Sequence, residues 1–129
     1  IAGFETETSK YQFAHLIDAG AIQVVQPDVV QVGGITEARK IAHYAQMRHL
    51  PFTGKIYSTA VSVAATLHLL YALPNADYFE CDQDPNALRA DFLCAPLFRL
   101  DDGMVTAIDA PGLGLDIDEE KLARYRVAP

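Results

Sequence analysis

Between Ile1 and Glu80 one unit recurs: a short apolar strand, a loop, then an amphipathic helix. Ile1 to Phe4 precedes a helix that Ser9 can cap, with Tyr11 or Phe13, Leu16 and Ile17 on one face and a stop at Gly20. Ile22 to Val25 leads to a second helix, capped by Thr36, in which Ala38, Ile41, Ala42 and Ala45 recur at helical spacing. Leu50 to Phe52 leads to a third, capped by Ser58 or Thr59, which runs through Val63, Leu67, Leu70 and Leu73 and is ended by Pro74. Tyr78-Phe79 forms a fourth strand ending at Glu80. Strands and helices alternating at this spacing predict an α/β chain of four parallel βα units. Four such units cannot close an eight-stranded barrel, which takes about 250 residues. They suit either a smaller open sheet or the second half of a barrel.

After Glu80 the pattern changes. "CDQDPNALRADFL" is irregular, and "LFRLDDGMVTAI" predicts a hairpin turned at Asp101-Asp102-Gly103. "DAPGLGLDIDEEKLARYRV" predicts a Gly/Pro loop and a short helix from near Asp118. Half of the residues are hydrophobic and 21% are charged, which predicts a packed core. A net charge of −7 argues against nucleic acid as a partner. The longest apolar stretch, Ala60 to Leu73, is interrupted by Ser62, Thr66 and His68 and is too short to span a bilayer, so no membrane partner is expected. Cys81 and Cys94 without a secretory leader predict reduced thiols in a cytoplasmic setting. The opening "IAGFE", without an initiator Met, predicts a piece of a longer protein.

An ionisable residue follows each strand: Glu5, Asp28, Lys55 and Glu80. In parallel α/β folds catalytic residues collect at that edge, because the loops there converge on one mouth. A single such residue can be a solvated loop charge; four in four units point to a shared site. Glu7, beside Glu5, reads as a loop charge. His15, His43 and His49 fall at surface positions of the helices, and His68, Ser62 and Thr66 at packing positions. Cys81 has no readable His partner and is a weak candidate nucleophile.

The segments "AGFE", "VVQPDVVQVGGITEARKIA", "STAVSVAATLHLLYALPNADYFE" and "PGLGLDIDEEKLARY" together resemble the C-terminal half of the mandelate racemase/muconate lactonizing enzyme family of the enolase superfamily. The resemblance covers essentially the whole chain, and "QPD" followed by "GGITEA" is its strongest marker. It implies the C-terminal half of a modified (β/α)₇β TIM-type barrel over 1–95. Residues 96–129 are then a hairpin and helix segment packing toward a capping domain outside the chain. It implies abstraction of the proton α to a carboxylate with Mg²⁺ as cofactor. A sugar-acid or hydroxy-acid dehydratase is the first reading, a racemase or epimerase the second. The partner is a small carboxylate, and a homo-oligomer that needs the missing N-terminal half is expected.

Residue by residue, Glu5 matches the third of three carboxylates that hold the metal. The other two, and a Lys-x-Lys pair, would lie upstream. Asp28 matches an Asp that orients a catalytic His at the end of the next strand, and Glu80 matches a Glu that donates a hydrogen bond to the substrate carboxylate. The departure is Lys55, which stands where that His is expected. Asp28 and Lys55 are expected side by side, Asp28 orienting Lys55. A Lys serves as a base only if burial lowers its pKa, which a neighbouring carboxylate opposes. Three readings of Lys55 therefore stand: acid or base, fixed positive charge, or the mark of a non-catalytic relative that has lost the dyad.

Overall fold

The computed structural model describes residues 1–106 and 109–127. Strand β1 (Ala2–Gly3) pairs in parallel with β2 (Val24–Val25), Ala2 opposite Val24 and Gly3 opposite Val25. Parallel bridges from Val25 to Phe52 and from Asp28 to Lys55 add the third extended segment. It therefore runs on past the Leu50–Phe52 expected, and Lys55 is its last paired residue.

Helix α1 (Lys10–Asp18) packs on α2 (Ile35–Met47), and α2 on α3 (Ala60–Tyr71). Between them and the strands lies one core, with Phe13 and Ile17 from α1, Val25 from β2, Ile41 and Ala45 from α2, Phe52, and Leu69 and Leu70 from α3. Two parallel steps with intervening helices are the βα units the sequence predicts. The Ser9 hydroxyl caps α1 by accepting from the Tyr11 amide at 3.2 Å. Thr36 does not cap α2. The Gly33-Gly34 pair turns the chain at φ 99° and 94°, Gly34 is the cap residue, and its carbonyl already accepts from the Ala38 amide, so Thr36 lies inside the helix. Thr59 is the cap residue of α3, and that helix stops at Tyr71, before Pro74.

The fourth strand is not a strand. The Phe52 amide donates to the Asn75 carbonyl at 2.8 Å, and the Thr53 hydroxyl donates to the Tyr78 carbonyl at 2.9 Å. A side chain thus takes the carbonyl that a ladder would give to a backbone amide. The segment to Glu80 lies beside the third strand without continuing the sheet.

Close approach to α3 sets the third segment's geometry. A Cβ built on Gly54 would lie 2.3 Å from the Thr66 Cγ2, so only glycine fits where the chain crosses that helix. Beyond Glu80 come α4 (Ala87–Ala90), β3 (Leu100–Asp101) antiparallel to β4 (Met104–Val105), and α5 (Glu119–Ala123), capped by the Asp118 carboxylate. The β3–β4 turn has Asp102 at φ 47° and Gly103 at φ 75°, the paired positive values of a tight two-residue hairpin. The end of the predicted hairpin segment, residues 107 and 108, lies outside the described residues. Leu97, Phe98 and Val105 pack on Ile56, Val63 and Leu67, which joins the hairpin to α3. A bridge from Leu93 to Ile117 and a bond from the Cys94 amide to the Asp116 carbonyl hold the last segment. Among the described residues no helix is long and apolar enough to cross a membrane.

Candidate active site

Side chains alternate along a strand, so Val25, buried toward the helices, turns Gln26 to the opposite side. There Gln26 meets the ends of two other segments. The Lys55 Nζ donates to the Glu80 Oε1 at 2.8 Å, and the Gln26 Nε2 donates to the Glu80 Oε2. The pair is partly buried, with Lys55 21% and Glu80 33% exposed along their side chains. The hydrogen bond to Glu80 pushes the Lys55 ammonium above its ordinary range; burial opposes this, and the charges of Glu80, Glu5 and Asp82 add to it. Lys55 is therefore held as a cation at neutral pH. The ring of Tyr57 lies 5.9 Å from its Nζ.

Asp28 and Lys55 are neighbours in backbone only. The Lys55 amide donates to the Pro27 carbonyl at 3.0 Å as part of their parallel bridge. The Asp28 side chain is 4% exposed, and its Oδ1 accepts from the Val30 amide at 2.8 Å and the Gln31 amide at 3.3 Å. This carboxylate folds its own loop as an Asx turn ahead of the glycine pair. Lys55 pairs with Glu80 and not with Asp28 as expected; the Asp28 Oδ1 is turned to the amides of its own loop. Glu80, expected as a donor, has both carboxylate oxygens engaged as acceptors.

Glu5 follows β1 after Phe4, whose φ of 69° turns the chain out of the strand. Among the described residues neither Glu5 nor Glu7 has a side-chain hydrogen bond or ion pair. Glu5 contributes to the field at Lys55, which places Glu5 on the side of the mouth. A hard, unengaged carboxylate oxygen suits a hard divalent cation, so Glu5 fits as one ligand. Among the described residues no group of three His, Cys, Asp or Glu is placed to hold a metal by itself.

Sequence reasoning missed Gln26 and a second ion pair. The alternation past Val25 was the available signal for Gln26. The second pair joins the Arg89 Nη2 to the Asp82 Oδ2 at 2.5 Å, and nothing in an irregular segment announced it. His15, His43 and His49 are exposed, and the His68 Nε2 is buried without a partner among the described residues. Cys81 and Cys94 are both free thiols.

Residues 1–121 match the enolase C-terminal domain-like family. The chain belongs to that family. Its α/β units are those of the TIM-barrel C-terminal domain of the enolase superfamily, to which its structural neighbours belong. The chain is similar to the D-galactarolactone cycloisomerase of Agrobacterium fabrum, 32% identical over 98% of this chain and 35% of that protein. It is also similar to the arabinonate dehydratase of Saccharolobus solfataricus, 31% identical over 98% of this chain and 33% of that protein. An enolase-superfamily member from Polaromonas superposes with a TM-score of 0.87 and 37% identity over 99% of this chain and 34% of that one. This enolase-superfamily chain thus spans about one third of the length of the relatives it matches.

Proposed function

We propose that in the intact protein these residues form the C-terminal half of a modified (β/α)₇β barrel of a Mg²⁺-dependent sugar-acid dehydratase, with 96–129 returning to a capping domain. Two named relatives, an arabinonate and a D-galactonate dehydratase, support the substrate class. The observation that carries the reading is the meeting of Gln26, Lys55 and Glu80 at the strand ends, within the field of Glu5.

Glu5 would supply one oxygen to Mg²⁺, with the remaining ligands coming from outside these residues. When bound, the metal supplies positive charge against the substrate carboxylate. Lys55, held protonated, is the general acid. A base outside this chain removes the proton at Cα, the Cβ–O bond breaks, and the Lys55 Nζ gives its proton to the departing hydroxyl, which leaves as water. The resulting enol tautomerises to a 2-oxo-3-deoxy acid. Glu80 and Gln26 fix the ammonium's direction, since an unpaired lysine head samples many rotamers. An isolated, partly exposed ion pair stabilises a fold by only about 0–1 kcal/mol, so its positioning role matters more than its contribution to stability.

The engagement of Asp28 with its own loop favours a second reading, a relative without dyad chemistry. The two separate in one experiment. The intact protein is incubated with Mg²⁺ and a panel of aldonic and aldaric acids in D₂O, following deuterium at Cα and formation of a 2-oxo acid. Lys55→Met should keep Cα exchange and lose at least about 10²-fold in 2-oxo acid formation, the usual worth of a positioned acid. Loss of both signals makes Lys55 the base. No exchange and no product from the wild type with any acid supports the non-catalytic relative.

A further inference from the structure

The Lys55–Glu80 pair has a competitor. Asp82 lies two residues beyond Glu80, and its charge is felt at Lys55. Arg89 holds it. The Arg89 Nη2 donates to the Asp82 Oδ2, Nη1 donates to the Asp82 carbonyl at 3.0 Å and the Asp84 carbonyl at 3.3 Å, and Nε reaches the Ser58 carbonyl at 3.5 Å. The other Asp82 oxygen accepts from the Asp84 amide at 2.9 Å. Both side chains are largely buried, Arg89 18% and Asp82 13% exposed. One guanidinium thus bridges the segment that carries Glu80 and the segment that carries Lys55.

We propose that Arg89 is a positioning residue: by occupying Asp82 it keeps that carboxylate from taking Lys55, so that the ammonium stays on Glu80. The geometry suits arginine and not lysine, because the fork satisfies a carboxylate and three carbonyls at once. Without Arg89, Asp82 becomes a poorly solvated, unpaired carboxylate within the field of a cation. Moving Lys55 from Glu80 to Asp82 is the direct relief. Glu80 keeps its bond to Gln26 and, with a more exposed side chain than Asp82, loses less by releasing Lys55. The functional weight of this device rests on the dehydratase reading; the exchange of partners does not.

The test compares crystal structures and turnover of intact wild type, Arg89→Met, Asp82→Asn and the Arg89→Met/Asp82→Asn double variant. In Arg89→Met the Lys55 Nζ should leave Glu80 and bond Asp82. In the double variant it should return, because the amide offers no charge. Asp82→Asn alone should leave Lys55 on Glu80. Turnover should fall about 10²-fold in Arg89→Met through kcat with little change in KM, the scale of a misplaced reacting group, and recover at least tenfold in the double variant. Arg89→Lys should rescue little. The proposal is overturned if Lys55 stays on Glu80 in Arg89→Met, or if the double variant is as impaired as the single, which would make Arg89 a loop tie only. If Arg89→Met does not fold, Arg89→Gln serves: its amide can still donate to the loop carbonyls but offers Asp82 no positive charge, so Lys55 should again move to Asp82, and an unmoved Lys55 there also overturns the proposal. A wild type inactive on every acid tested defeats the dehydratase reading, while the Lys55 contacts still decide the proposal.

Discussion

Replacing Gly54 by alanine tests how the third segment is held. The added Cβ would stand 2.3 Å from the Thr66 Cγ2. Carbon atoms in contact sit about 3.5–4.0 Å apart, so more than 1 Å of overlap must be relieved. Thr66 cannot swing aside easily: it is fully buried on α3, and a β-branched side chain in a helix has few rotamers. The backbone must move instead, which puts Gly54→Ala at or above the top of the about 1–3 kcal/mol typical of overpacking. Thr66→Ser removes the offending methyl and by itself costs about 1 kcal/mol, the usual loss for one buried methyl. If the clash is the cause, the double variant recovers about 1.5 kcal/mol or more relative to the sum of the single changes. Urea unfolding followed by circular dichroism, with linear extrapolation, measures all four states of the cycle. Gly54→Ala within about 0.5 kcal/mol of wild type, or strict additivity, would refute the close-approach argument.

Glu5→Ala in the intact protein should weaken Mg²⁺ binding severely in a calorimetric titration; unchanged affinity would move the assignment to Glu7. Asp28→Ala strips two backbone amides of their acceptor and should cost about 1–2 kcal/mol in urea unfolding, whereas Asp28→Asn, which keeps Oδ1, should cost less than about 1 kcal/mol. Equal losses for both would show that charge, not the Asx turn, is what matters at Asp28. The stabilisation from the lowered Asp82 carboxyl, held down first by the Asp84 amide and then by Arg89, should be complete above the ordinary carboxylate range and vanish as pH falls through the lowered value. Acid titration of unfolding should therefore lose part of its slope in Asp82→Asn. The 129 residues alone expose Ile1 and Tyr78 at 81% each beside open sheet edges, so sedimentation should show self-association; a cooperative monomer would argue for a self-sufficient open sheet.

Much of the fold was legible because periodicity survives in a single chain. The α1 and α2 faces that carry Phe13, Ile17, Ile41 and Ala45 could be read from spacing, and so could the tight turn at Asp102-Gly103. Cap and strand limits were less legible. Thr36 carried a cap's chemistry, but the glycine pair before it had already started the helix. Tyr78-Phe79 looked like a strand, yet its neighbour offered a hydroxyl instead of a ladder. Gln26 was hidden because a polar residue after a strand looks the same whether it faces solvent or a mouth.

Sequence alone marked Glu5, Lys55 and Glu80 for one edge, since a parallel strand that ends in a charge delivers that charge there, although Glu80 arrives on a segment outside the sheet and Asp28 turns into its own loop. Tertiary structure decided how they pair. The charges of Glu80 and Asp82 both act on one ammonium, and their order along the chain does not rank them. Asp82 is held by Arg89, and Glu80 takes Lys55. The selection rests on hydrogen-bond donors brought from distant segments, and only the folded chain brings them within reach.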